Sequence, residues 1–169
     1  MSILIHTLSF ILQVSIYTLG FSSTSGTSVS MQSFQGKKVL LVNIASGSRY
    51  VSQLQELQQL QTQYKDSLVV IGFPSNSFGK EPLEDAAIEA FCKNNYGVTF
   101  LLARKAPVLG SDKQALYQWL TRQNENGVME GEVTGDFQKY LIDQNGNLIG
   151  AWAPAIAPTD PSITQMLAN

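Results

Sequence analysis

Sulfur and imidazole are nearly missing from this sequence. Cys92 is the only cysteine, so no disulfide can form within the chain and no cysteine-based zinc cluster can be assembled. His6 is the only histidine. The body of the protein therefore has no imidazole to serve as a metal ligand or as a general base. Charge is also sparse, at 14% of 169 residues with a formal net charge of −2. Lys and Arg form no run or stripe, which argues against nucleic acid as a partner. What is plentiful is apolar: 44% of the residues are hydrophobic, enough for one domain with a substantial core.

The first fourteen residues, "MSILIHTLSFILQV", are apolar and uncharged, and the first basic residue is Lys37. A secretory leader carries a positive start, and none is present here. The run is also short for a bilayer span, so no transmembrane segment is expected. Residues 1–14 are read as an N-terminal extension that packs on the domain or on a second subunit. The alternative is a degenerate export leader. The compartment stays open with it: cytoplasmic, or exported if residues 1–14 derive from a leader.

From Ser15 onward the pattern is that of one α/β domain, 15–169. "SIYTLGFSSTSGTSVSMQSF" predicts an N-terminal β-hairpin with Gly26 at its turn. "KKVLLVNIA" and "SLVVIGFP" are continuous apolar runs, typical of strands covered on both faces. Between them Val51, Leu54, Leu57, Leu60 and Tyr64 recur at helical spacing and predict a helix over about 50–65. "EPLEDAAIEAFCKNN" predicts a second helix with Pro82 in its first turn. "DKQALYQWLTRQ" predicts a third, with Asp112 as its cap. "FQKYLIDQNGNLIGAWA" reads as a hairpin around Asn145-Gly146, and "TDPSITQMLAN" as a closing helix capped by Thr159 or Asp160. Two strands joined by a helix imply a parallel pair, and the late hairpin adds antiparallel strands. The expected fold is a central mixed β-sheet flanked by helices. Its functional crevice should lie beyond the carboxyl ends of the parallel strands, at 44–49 and 73–79.

Five segments, "GKKVLLVNIAS", "GFPSNSFGKEP", "AFCKNNYGVTF", "DFQKYLIDQNGNLIGAWAP" and "SIYTL", together resemble the glutathione peroxidase family. They occur in family order over nearly the whole of 15–169. The resemblance implies a thioredoxin-like fold. It also implies a peroxidatic cysteine or selenocysteine at the start of the first helix, where helix dipole and hydrogen bonds favour a thiolate. A Gln, a Trp and an Asn surround that group in the family.

Carried over position by position, the resemblance puts unlike residues at all four sites. The family pattern N-V-A-S-K-C-G-F-T reads "NIASGSRYV" here, so the cysteine position is Ser48. The pattern F-P-C-N-Q-F-G reads "FPSNSFG", which makes Ser77 the Gln position and Ser75 the neighbouring cysteine position. W-N-F-x-K-F reads "GDFQKY", which gives Gly135 and Asp136 for Trp and Asn. The basic pair of K-R-Y-A-P is Gly150 and Ala151 in "GAWAP", while Arg49 and Arg104 remain. Cys92 matches a common non-resolving family cysteine, on a helix whose neighbours Ala87, Ile88 and Phe91 make burial the expectation.

A serine hydroxyl is far less acidic than a thiol and has no comparable oxidation ladder. Ser48 is therefore expected to keep only a helix-capping role. A hydrolytic role for Ser48 would need a base, and a lone Asp136 is a weak one. Asp136 itself has two readings: a carboxylate beside the former thiolate pocket, or the exposed first residue of a strand. The functional expectation is a glutathione peroxidase-like protein without peroxidase activity. Its old crevice would bind a ligand or protein whose identity the sequence does not give. The alternative is a hydroperoxide-reducing peroxidase acting in the oxidative-stress response. No cofactor and no metal are expected, and the family reductants, glutathione or thioredoxin, lose part of their recognition surface. The segment "NENGVMEGEVT" is short, which implies a monomer or small oligomer rather than the tetramer of some family members.

Overall fold

A computed structural model describes residues 13–168. His6 and most of the 1–14 extension lie outside the described residues. The part described begins at Gln13, and the Val14 carbonyl accepts a 2.6 Å hydrogen bond from Trp119 Nε1.

The first described element is a 3-10 turn, Ile16–Thr18, followed by the expected hairpin. Strands β1 (Gly20–Ser22) and β2 (Ser28–Ser30) pair antiparallel around Gly26, whose φ of 85° suits the turn. Then come β3 (Lys38–Ile44), α1 (Gln53–Gln63), β4 (Leu68–Pro74), α2 (Asp85–Tyr96) and β5 (Leu101–Leu102). After these follow α3 (Ala115–Thr121), α4 (Gln123–Asn126), β6 (Lys139–Ile142), β7 (Leu148–Trp152) and α5 (Pro161–Ala168).

The main sheet has the order β5-β4-β3-β6-β7. β3 runs parallel to β4 and antiparallel to β6, so the sheet is mixed. Side chains of β3 alternate between two cores. Leu40, Val42 and Ile44 pack with Leu54, Leu57 and Leu60 of α1, Ile88 and Cys92 of α2, and Ile163 and Leu167 of α5. Val39 and Leu41 pack on the opposite face, with Leu116, Tyr117 and Leu120 of α3 and with Ile16 and Met31 near the hairpin. Helices thus cover both faces, as a strand buried on both sides requires. The second core is anchored by Phe73, whose ring meets Phe21 at 5.2 Å and Tyr117 at 5.5 Å in edge-on contacts.

Three helix starts differ from the sequence expectation, and one strand is added to it. α1 starts at Gln53 rather than Tyr50, because residues 46–52 are used in turns. α2 starts at Asp85, which leaves Pro82 outside it; the Glu81 side chain holds the preceding loop by accepting from Leu83 N–H. α3 is entered through Gln114, not Asp112. β5 was not expected at all, and two residues are too few to show a periodicity. At the other end, Asp160 Oδ1 accepts from Ser162 N–H at 2.8 Å, as expected of a cap.

Two lysines are buried at strand starts. Lys38 Nζ donates to the Met166 carbonyl at 2.6 Å, at the C-terminal end of α5 where a cation is favoured. Lys139 Nζ donates to the carbonyls of Pro154 and Ile156, and burial pulls its pKa down to about 8. Both side chains tie the C-terminal segment to the sheet.

Candidate functional site

The site is built from three turns that leave the sheet at one end. β3 and β4 stop together at Ile44 and Pro74, and Ser75 N–H still reaches the Ile44 carbonyl at 3.0 Å. The chain after β3 then lies against the loop after β4. Gly47 N–H donates to the Lys80 carbonyl at 2.8 Å. A Cβ on Gly47 would stand 2.8 Å from that same oxygen, so the close approach needs glycine or a shift of backbone. Glu81 locks the pair together. It is 1% exposed, and its carboxylate accepts from Ser46 N–H and Ser46 Oγ at 2.7 Å each and from Leu83 N–H at 3.1 Å.

The third turn is held by Asn43, a fully buried residue of β3. Its Nδ2 donates to the Gly135 carbonyl at 2.9 Å, and its own carbonyl accepts from Phe137 N–H at 2.6 Å. Phe137 takes a φ of 68°, a costly conformation for a non-glycine residue. Its ring is fully buried, and packing and the Asn43 bonds hold it there. Gly135 and Asp136 are thereby presented beside the turn after β3.

A crevice of about 430 Å³ results, lined by Gly47, Ser48, Arg49, Tyr50, Phe78, Lys80, Gly135 and Asp136. It lies where the sequence places it, beyond the carboxyl ends of the parallel strands. Three of the four candidate residues, Ser48, Gly135 and Asp136, meet in it. Ser77 does not. Its Oγ accepts from Ser75 Oγ and from Val108 N–H, each at 3.0 Å, and it lines a neighbouring depression with Asn76, Lys105, Ala106 and Pro107. Ser77 therefore fastens the loop to the segment before α3.

Ser48 is also not the cap of α1. The N-cap position is Ser52, four residues later, and it makes no side-chain cap bond. Ser48 Oγ accepts from Tyr50 N–H at 3.2 Å, and its carbonyl accepts from Val51 N–H at 3.1 Å. The hydroxyl closes the turn that precedes the helix. For Asp136 the exposed reading fails: the residue is 7% exposed, and its Oδ1 finds no hydrogen-bond donor among the described residues. Burial, reinforced by the Glu81 charge and opposed by Lys80, pushes its pKa up to about 6.

Residues 16–121 match the glutathione peroxidase family model. The glutathione peroxidase homolog BsaA of Bacillus subtilis is 35% identical over 149 residues, covering 87% of this chain and 93% of that protein. The glutathione peroxidase-like peroxiredoxin 2 of Saccharomyces cerevisiae is 35% identical over 159 residues, covering 92% and 98%. The chain belongs to the glutathione peroxidase family. The crystal structure of Trgpx in apo form superposes with a TM-score of 0.70 at 28% identity, covering 92% of this chain and 97% of that one. That of T. cruzi GPX1 superposes with a TM-score of 0.69 at 21% identity and shows the shared fold.

Within this glutathione peroxidase frame, the one cysteine is away from the crevice lining. Cys92 sits on α2 in the core, 2% exposed, and burial with the Glu81 charge pushes its thiol up to about 12. It is expected to react with a thiol reagent at below about a hundredth of its rate in denatured protein. Comparable rates in the two states would show the thiol to be accessible. Arg104 pairs with Asp85 at the surface, whereas Arg49 lines the crevice with its guanidinium 5.1 Å from the Tyr50 ring centre. On β7, a Cβ at Gly150 would fall 2.2 Å from the Trp152 ring, which occupies the space a longer side chain would need. Among the described residues no group of three or more His, Cys, Asp or Glu side chains is placed to hold a metal. No described helix is long and apolar enough to cross a membrane.

Sequence reasoning missed Asn43, Gly47, Lys80 and Glu81. Asn43, Lys80 and Glu81 lie inside the segments that carry the family resemblance, so their signal was present as motif but not as role; Gly47 stands just past the first of those segments, where the family pattern has Lys. Phe137 gave no signal, because nothing in a phenylalanine's sequence context announces a left-handed backbone.

Proposed function

We propose that this member of the glutathione peroxidase family does not reduce hydroperoxides and that its crevice serves as a binding site. The observation that supports the reading is that, among the described residues, none lining the crevice carries sulfur: Ser48 stands at the position the resemblance gives to the peroxidatic residue, and Cys92 is buried in the core. Peroxide reduction in the family begins with a thiolate or selenolate attacking a peroxide oxygen. A neutral serine hydroxyl engaged in a turn supplies no such nucleophile. The raised pKa of Asp136 does not help either, because a carboxyl group has no redox chemistry to offer a peroxide.

The test is turnover of hydrogen peroxide and of an organic hydroperoxide, with glutathione or a thioredoxin system as donor. The wild-type chain is expected to stay at the buffer rate, and Cys92→Ser to change nothing. Turnover above that rate would favour the runner-up, a hydroperoxide-reducing enzyme, and its loss in Cys92→Ser would place the chemistry on Cys92. Ser48→Cys combined with Ser77→Gln, Gly135→Trp and Asp136→Asn is expected to gain measurable turnover. Pro154 must yield for that variant, since a Cβ on Gly135 would lie 3.0 Å from Pro154 Cγ.

A further inference from the structure

We infer that the crevice takes a small amino-carboxylate, with the ligand's ammonium group on Asp136 and its carboxylate at Arg49 and Lys80. This rests on the binding reading above and names the class of ligand. The floor and the rim of the crevice carry opposite charge. Asp136 is 7% exposed and has an oxygen without a donor. Leaving such an atom unpaired in a folded protein is costly, and a donor from outside would remove the cost. Glu81, the other carboxylate near it, is not available to a ligand, because its oxygens are taken by Ser46 and Leu83.

At the rim, Arg49 and Lys80 are exposed and make no ion pair among the described residues. Two unpaired cations there select an anionic end. Tyr50 and Phe78 add apolar wall to the same crevice. A volume of about 430 Å³ suits a small molecule rather than a folded partner. A purely anionic ligand would satisfy the rim and leave Asp136 unpaired. A purely cationic one would face Arg49 and Lys80 with like charge. A molecule carrying both charges satisfies both ends.

The experiment is an amide NMR titration of the full chain at about pH 7.5 with β-alanine, 4-aminobutyrate and 6-aminohexanoate, and with butyrate and butylamine as half-probes. At least one amino-carboxylate is expected to saturate, moving the amides of Gly47, Ser48 and Gly135. Each half-probe should bind about tenfold or more weakly. Asp136→Asn should weaken the amino-carboxylate about tenfold or more, the loss of one charge-assisted contact. Combined Arg49→Ala and Lys80→Ala should weaken it similarly and leave butylamine unweakened. Lowering the pH to about 5, below the Asp136 pKa of about 6, should weaken binding to the wild type and not to Asp136→Asn. Glu81 and Lys80 are the charged groups that act on Asp136, and Arg49 shares the crevice lining; Asp136→Asn retains all three, so a pH response present in the wild type and absent from that variant belongs to Asp136. No saturation with any of the three, equal binding by Asp136→Asn, or butyrate binding as tightly as the best amino-carboxylate would each overturn the inference. Peroxide turnover on the same sample reports separately on the loss of peroxidase chemistry, so either idea can fail alone.

Discussion

Glu81→Ala is expected to destabilise the protein by about 2–4 kcal/mol, an effect set by the hydrogen bonds it leaves unmade. Glu81 is 1% exposed, and its carboxylate takes Ser46 N–H, Ser46 Oγ and Leu83 N–H. Truncation orphans two backbone N–H groups, both in partly buried bonds. Each costs about 1–3 kcal/mol, and removal of a buried charge offsets part of that sum. Glu81 also joins the two loops, next to the bond from Gly47 N–H to the Lys80 carbonyl. Losing the clamp should therefore loosen the crevice as well as lower stability. Glu81→Gln keeps the shape but can accept at only one of its two positions, so it should fall between wild type and Glu81→Ala. Urea denaturation gives the free energies, and hydrogen exchange at Gly47 and Ser48 reports the local loosening. A Glu81→Ala protein within about 0.5 kcal/mol of wild type would mean that the clamp contributes nothing net.

The contrast between Glu81 and Ser48 shows what was legible in the sequence. Apart from β5 and α4, the strands, the two hairpins and the helices facing them follow from apolar runs, helical spacing and turn residues, because those features act over many positions at once. Gly26 and Gly146 both take positive φ at the turns assigned to them. The end of the sheet at which the crevice opens also follows from strand direction alone. Individual caps were less readable. Ser48 has the right chemistry for an N-cap, but the Gly47 contact with Lys80 and the Glu81 clamp hold residues 46–48 in a turn and delay the helix to Gln53. Ser77 is near Ser48 in the motif logic, yet its hydroxyl is committed to Val108 N–H and Ser75. Such choices depend on contacts 30 or more residues away, which no local pattern encodes. Asp136 is the instructive case. Its identity marked it as unusual, but only the Asn43 bonds and the left-handed Phe137 show why it faces inward.

Asp136→Asn is expected to stabilise the protein above about pH 6 and to leave it unchanged near pH 4. The folded protein holds the Asp136 proton up to about 6, against an ordinary value of 3.8. Between those values the folded state binds more protons than the unfolded chain. The contribution of this group to stability is therefore full below about pH 4 and is lost as pH rises through about 6. At about 1.4 kcal/mol per pH decade, the ceiling on that loss is about 3 kcal/mol. Asp143 and Asp160 act in the opposite direction, since hydrogen bonds hold both below the ordinary carboxylate value. Only the difference between wild type and Asp136→Asn isolates the one group. Thermal denaturation of both proteins from about pH 4 to 8 should give melting temperatures that coincide at the acid end and diverge upward for Asp136→Asn. Parallel curves would show that Asp136 is solvated or paired in the folded state. The same substitution that relieves the free protein is the one that should weaken the amino-carboxylate. A buried acid that costs stability when empty and gains a partner when occupied is what a binding site looks like before its ligand arrives. If Asp136→Asn stabilises the free chain and leaves ligand binding untouched, the acid is only an uncompensated defect in the crevice wall.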